Sequence, residues 1–273
     1  MPPSAVVTGA APVWVGERLA GPHHDGAVVH RGADAVYLES RGDVIGIVSR
    51  HASPVPCAIA TRADSVAQLL GGRAPAVGDP VRIGGGSLEV GGRRVRVTRF
   101  VDFAMPSFDR AQAPRMLARL TSRTATAPDD ELSPEVLALL RERPAAALTQ
   151  VLGRGSGLTP YGDDVVCGLL ATLLAAHDPC AADLRHRSRA LAPGRTTALS
   201  ATLLHRAGEG DVLPAFARVV AALLHPHEPA QQSGTHELGA RVAELRAVGH
   251  TSGAGMLLGL RLALDHINTR SCP

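Results

Sequence analysis

The chain has 273 residues, 45% of them apolar, and a formal net charge of +3, a balance that excludes a disordered or polyelectrolyte chain and describes an ordinary globular protein. All 28 basic residues are arginine, so a Walker-type lysine, Schiff-base chemistry and a lysine general base are excluded, and any positive group contacting a ligand must be Arg, His, a backbone amide or a metal. One Trp, two Tyr and four Phe offer too few stacking platforms for nucleic acid, and the clusters Arg93, Arg94, Arg96, Arg99 and Arg185, Arg187, Arg189 read as solvated faces.

From residue 13 to residue 100 short strand-like runs dominate, at 13–15, 27–30, 35–38, 44–48, 81–83, 88–90 and 95–100. Gly84-Gly85-Gly86 and Gly91-Gly92 predict tight connections between antiparallel strands of a small sheet or barrel. No helical pattern follows the triple glycine, so it reads as a turn and not as a phosphate loop. His23-His24-Asp25 lacks a further ligand at metal spacing and reads as an exposed loop.

Beyond Phe103 the spacing becomes helical, first over residues 111–120 with Met116, Leu117 and Leu120 inward, then after a polar connector at 121–130. Ser133 and Pro134 make an N-cap and first position, and residues 145–152 form another short helix. Residues 179–193 carry arginines and histidines, Thr197 opens the next helix, and Gly208 and Gly210 mark its end. Asp211 caps a helix with Val212, Phe216, Val219, Val220 and Leu223 inward; His225-Pro226-His227-Glu228 reads as surface loop rather than metal site. The last helices span 236–248 and 252–267. The expected fold class is α+β, with a β-rich domain at 1–105 and a helical domain at 106–273.

The most informative stretch is Gly153-Arg154-Gly155-Ser156-Gly157-Leu158-Thr159-Pro160-Tyr161-Gly162-Asp163-Asp164, running into an apolar helix with Thr159 as N-cap and Pro160 as its first residue. Alternating glycines let the backbone approach a ligand with positive φ. Free N–H groups and the helix dipole then favour an anion, namely a phosphate, an acyl phosphate or a carboxylate. Asp163 and Asp164 would repel a bare anion, so a divalent cation at the pair, Arg154 or another arginine must stand between; alternatively both simply favour the dipole. The junction Gly249-His250-Thr251-Ser252-Gly253 is built similarly. Gly168 and Gly259, each six residues beyond a motif glycine, suggest close helix packing.

These motifs resemble the AllH family, the small subunit of oxamate carbamoyltransferase. The resemblance rests on G-x-G-x-G-L-T-P-x-G-D-D at 153–164, on Thr197-Ala198-Leu199-Ser200 with Leu203, Leu204, Ala207 and Gly210, and on 249–253 with Met256, Gly259 and Leu260. It spans about residues 150–262. Family members often carry an acidic residue where this chain has Gly255. The resemblance implies oxamate and carbamoyl phosphate as substrates, and other subunits or a homo-oligomer as partners; residues and spacing alone say only that the guest is a small anion.

On that reading Arg154, Gly155, Ser156, Gly157, Thr159, Arg195, Thr197, Ser200, Thr251, Ser252 and Gly253 bind substrate, and Asp163, Asp164 and His250 act on it. Two alternatives stand beside it: a non-catalytic subunit that binds a ligand while another chain does the chemistry, and a biosynthetic condensing or ligating enzyme that reuses the fold. No G-x-S-x-G elbow surrounds Ser200 or Ser252. None of Cys57, Cys167, Cys180 and Cys272 has C-x-x-C spacing or stands beside a convincing histidine or at a helix start, which suits reduced thiols in the cytoplasm and disfavours a nucleophilic cysteine. His205 and His266 read as structural or surface histidines without a nearby acid. No signal-peptide pattern or bilayer-length apolar run is present, so no membrane is expected as a partner.

Overall fold

The computed structural model describes residues 6–72, 75–123, 131–225 and 233–270, and it divides into two compact units, Met1–Phe103 and Ala104–Pro273. The architecture is α+β.

The first unit is a closed barrel. Its strands are β1 (Val6–Ala11), β2 (His24–Arg31), β3 (Ala35–Ser40), β4 (Asp43–Val48), β5 (Ala58–Ala60), β6 (Pro80–Gly84), β7 (Ser87–Val90) and β8 (Arg93–Phe100), with helix α1 (Val13–Ala20) after β1 and one turn of helix, α2 (Val66–Leu69), after β5. The order around the barrel is β1-β5-β4-β3-β2-β6-β7-β8, closed by parallel pairing of β1 with β8 and containing one further parallel pair, β4 with β5. Closure removes the exposed strand edges. Two-residue hairpins fix the register where the glycines predicted it: Gly84 faces Ser87 across Gly85 and Gly86, and Val90 faces Arg93 across Gly91 and Gly92, all four connecting glycines at positive φ. Leu38, Ile45, Ile47, Ile59, Ile83 and Leu88 are each at most 2% exposed, and α1 adds Val15 and Leu19 to this core.

Three readings of this unit change. Residues 13–15 are helical, because Pro12 starts a turn whose carbonyl accepts the N–H groups of Val15 and Gly16, and burial of Val15 and Leu19 follows helical spacing. His24 and Asp25 do not form a loop but begin β2, with His24 Nδ1 3.0 Å from the carbonyl oxygen of Pro22. Strands β1 and β5 were not expected. In β1 a bulge lies between Gly9 and Ala10, and a side chain at Gly9 would collide with Ile59 and Ala60.

The second unit is helical: a short 3-10 turn (Arg110–Gln112), then α3 (Ala113–Thr121), α4 (Pro134–Glu142), α5 (Pro144–Val151), α6 (Tyr161–Ala175), α7 (Cys180–Leu191), α8 (Ala198–Gly208), α9 (Pro214–Leu224), α10 (Ser233–Arg246) and α11 (Ser252–Arg270). Ser133 caps α4 as expected, its hydroxyl accepting from the N–H of Val136. Asp211 does not cap α9. That position belongs to Leu213, followed by Pro214, and Asp211 forms a bridge with Ala104. Residues 124–130 of the connector and 226–232 of the His225 loop lie outside the described residues.

Helix α6 is the axis of this unit. Every residue in it except Leu174 is buried, which is the behaviour of a helix apolar on all sides. It runs parallel to α11 with backbone nearly touching backbone. A Cβ at Gly168 would lie 2.4 Å from the carbonyl oxygen of Met256, and one at Gly259 would lie 2.2 Å from that of Val165. Both glycines therefore serve close packing. Among the described residues no helix is long and apolar enough to cross a membrane.

Candidate functional site

The glycine loop leaves α5 at Val151 and enters α6 at Tyr161. Gly153, Gly155 and Gly157 have φ of 78°, 101° and 97°, values that disfavour any residue with a Cβ. Its two ends are tied down internally. The N–H of Arg154 donates to Val151, that of Gly162 to the carbonyl of Arg154, and those of Asp163 and Asp164 to Pro160. The N-cap is thus Pro160, one residue later than expected, and no side chain caps the helix. Between these anchors, Gly155, Ser156, Gly157 and Leu158 are exposed, and among the described residues no hydrogen bond engages their amides or that of half-buried Thr159.

Three helix starts gather around the loop. Thr159 Oγ1 lies 2.8 Å from Ser252 Oγ at the first residue of α11. Thr197 donates its hydroxyl to the carbonyl of Leu158 at 2.6 Å and, as N-cap of α8, accepts the N–H of Ser200 at 3.0 Å. Thr197→Ala removes both contacts and should cost about 1–2 kcal/mol in urea-induced unfolding. A loss below about 0.3 kcal/mol would show that the cap and the loop tie carry no stability.

The two carboxylates differ. Asp163 is 1% exposed and both of its oxygens are engaged, Oδ1 by the N–H of Gly153 at 2.8 Å and Oδ2 by the hydroxyl of Thr196. Burial pushes its carboxyl above the ordinary range, opposed by hydrogen bonds from Thr196, Gly153 and Ser200. It ties the start of the loop to α6 and to the segment before α8. Asp164 is 6% exposed, and its Oδ2 is buried without a hydrogen-bond partner. Burial pushes its carboxyl up to about 7; the hydroxyls of Ser252 and Thr159 pull the other way, and the neighbouring charge of Asp163 adds to the rise. Gly255 faces this residue so closely that a Cβ there would stand 2.9 Å from that of Asp164. An acidic side chain at 255 has no room beside Asp164.

The other predicted site residues are placed as follows. Arg154 is exposed in the loop, and Arg195 sits before α8 with Nη1 3.2 Å from the carbonyl oxygen of Thr149. His250 is exposed in the turn between α10 and α11, and half-buried Thr251 offers its carbonyl to the N–H of Gly255. Gly253 gives its N–H to Val248 at 3.2 Å and packs so closely on α10 that a Cβ would lie 1.8 Å from the carbonyl oxygen of Leu245. Buried Ser200 supports Asp163. Thr196 was not anticipated as a partner of Asp163; its only sequence signal is its place immediately before the cap of α8. Cys167, buried beside the carboxylates, has its thiol pushed well up by burial and by Asp164 and Asp163, which keeps it protonated and inert.

The chain is thus a β-barrel unit followed by a helical unit in which three helix starts surround a glycine loop. Residues 151–264, from the end of α5 into α11, match the family model described as oxamate carbamoyltransferase subunit AllH, and this match over less than half of the chain supports an AllH assignment for that part. No curated protein and no solved structure matches the chain.

Proposed function

We propose that the glycine loop and the starts of α6, α8 and α11 form the anion site of a carbamoyl-transfer reaction, with oxamate, which the family description names, as acceptor and carbamoyl phosphate as donor. The observation that carries this reading is the pairing of unengaged amides at 155–159 with one buried, unpartnered carboxylate oxygen, Asp164 Oδ2. Unengaged N–H groups and converging helix dipoles suit a phosphate or carboxylate, and Arg154 adds a cation at the loop surface.

In the transfer, the amide nitrogen of oxamate attacks the carbonyl carbon of carbamoyl phosphate. The new C–N bond forms, the C–O bond to phosphate breaks, and phosphate leaves with the electron pair. Fixed N–H donors stabilise the oxyanion that develops on the carbonyl, and Asp164 accepts the proton that the nitrogen must lose. A carboxyl group titrating near neutrality suits that task better than an ordinary aspartate. Asp164 Oδ2 is also the oxygen of the pair open to a divalent cation, since Asp163 has both oxygens occupied. The family description calls its member a subunit, so further polypeptides are expected alongside this chain.

Gly157→Ala tests the reading, because a Cβ there meets nothing within 4 Å yet cannot be accommodated at φ of 97°. The loop must turn its amides away without disturbing the helices. Calorimetric titration with phosphate, carbamoyl phosphate and oxamate, with and without Mg²⁺, should show binding to the wild type and affinity at least about tenfold weaker in the variant, equivalent to losing one charge-assisted hydrogen bond. Equal affinity in the two proteins, or no binding to either, would refute the loop as the anion site.

A further inference from the structure

We infer that Asp178, Cys180 and His266 form a binding site for a divalent cation of Zn²⁺ type, at the far end of α6 from the glycine loop. Asp178 lies in the turn after α6, Cys180 is the first residue of α7, and His266 projects from α11. A carboxylate oxygen, the thiol sulfur and an imidazole nitrogen from these residues lie within 4.8 Å of one another. Here a cysteine does stand at a helix start beside a histidine, and His266 does have an acid close by, both brought together by the pairing of α6 with α11 and invisible as local spacing.

The electronic situation at His266 is what points to a cation. Its side chain is buried, and Nδ1 lies 2.6 Å from the carbonyl oxygen of Arg141, a contact that only an N–H can make. Nδ1 therefore carries a proton, and in the neutral ring Nε2 presents its lone pair. That nitrogen is buried without a hydrogen-bond partner, and it faces Asp178 Oδ1 at 3.8 Å, beyond hydrogen-bond reach. Asp178 Oδ1 already accepts the N–H of Cys180 at 2.9 Å; Oδ2 is buried without a hydrogen bond, with Arg110 Nη2 at 3.3 Å.

With the ring neutral, a nitrogen lone pair and a carboxylate oxygen thus face each other in the interior beside a thiol, an arrangement that a cation between them would stabilise. One oxygen, one sulfur and one nitrogen match the donor preferences of Zn²⁺, whose bonds of about 2.0–2.3 Å place tetrahedral ligands about 3.3–3.8 Å apart. The carboxylate and thiolate balance the ion's charge. Of the three residues, Asp178 also borders a cleft of about 630 Å³, lined by His177, Arg185 and His186 among others.

The test uses the full chain after chelator treatment and dialysis, titrated with Co²⁺ and then Zn²⁺. One equivalent of Co²⁺ should produce a thiolate-to-metal charge-transfer band that Zn²⁺ abolishes, and Zn²⁺ should raise the melting temperature. Cys180→Ser should remove the band and weaken Zn²⁺ binding by about a hundredfold or more, above the effect typical of losing an outer-shell partner. Isosteric Asp178→Asn should weaken binding at least about tenfold while keeping the band at saturating Co²⁺, and circular dichroism verifies that both variants are folded. Absence of the band in the wild type, or its survival in Cys180→Ser, overturns the site. So does binding to Asp178→Asn at wild-type affinity, and that variant decides the matter should Cys180→Ser fail to fold.

Discussion

Replacing Asp164 by asparagine is expected to lower the proposed carbamoyl transfer by about 10²–10⁴-fold while making the folded protein more stable at pH 8. Burial raises the carboxyl to about 7 in the folded state, whereas in the unfolded chain it returns to about 3.9. Between those values the folded protein keeps a proton that the unfolded chain has released. The contribution of this group to stability is therefore complete below about pH 4, falls as pH rises, and is gone above about pH 7. About three pKa units correspond to about 4 kcal/mol at most. Asparagine removes the buried charge but brings an amide that must itself be solvated, so a gain of about 2 kcal/mol at pH 8 is expected. Urea unfolding at pH 5 and pH 8 measures it: the variant should lose most of the decline, keeping only the part due to Asp163, whose carboxyl is also raised. A variant less stable than wild type at pH 8, or one that still transfers at the wild-type rate, would remove Asp164 from the proposed role.

The second large effect concerns packing. Gly259→Ala should destabilise the helical unit by at least about 3 kcal/mol, because its methyl would sit 2.2 Å from the carbonyl oxygen of Val165 and 2.6 Å from the amide nitrogen of Leu169. Neither atom belongs to a side chain that can swing aside, so α11 must shift off α6. Gly239→Ala is the matched control: it lies within α10 with nothing within 4 Å of the new methyl, and alanine there should stabilise by about 0.5–1 kcal/mol through helix propensity alone. Thermal and urea unfolding of both variants make the comparison. Similar stabilities would mean that the two helices do not meet backbone to backbone.

Much of this arrangement is legible from residues alone because it rests on local backbone chemistry. Gly85-Gly86 and Gly91-Gly92 demand positive φ and so announce their hairpins, Ser133 before Pro134 announces α4, and the alternating glycines at 153–157 announce an unusual loop before a helix. Other features depend on partners far along the chain. The run Val13-Trp14-Val15 suits a strand by composition and becomes helix because Pro12 starts a turn and Leu19 fills the barrel. Thr159 looks like a cap, but its hydroxyl meets Ser252, and Asp211 is drawn away from α9 into a bridge with Ala104. Within the site, the motif marks both aspartates equally. Only the folded chain separates Asp163, with both oxygens engaged, from Asp164, with one oxygen unpartnered.

The contact between α6 and α11 has a consequence for how this site can change. Where main chain abuts main chain, the interval between two helix beginnings is determined by atoms common to all amino acids, and no exchange of side chains can tune it. On the proposed function, altered substrate preference would therefore arise in residues such as 154–159, 195–197 and 249–251, which do not join that contact. Variants selected for a new acceptor should accumulate there and leave Gly168 and Gly259 untouched.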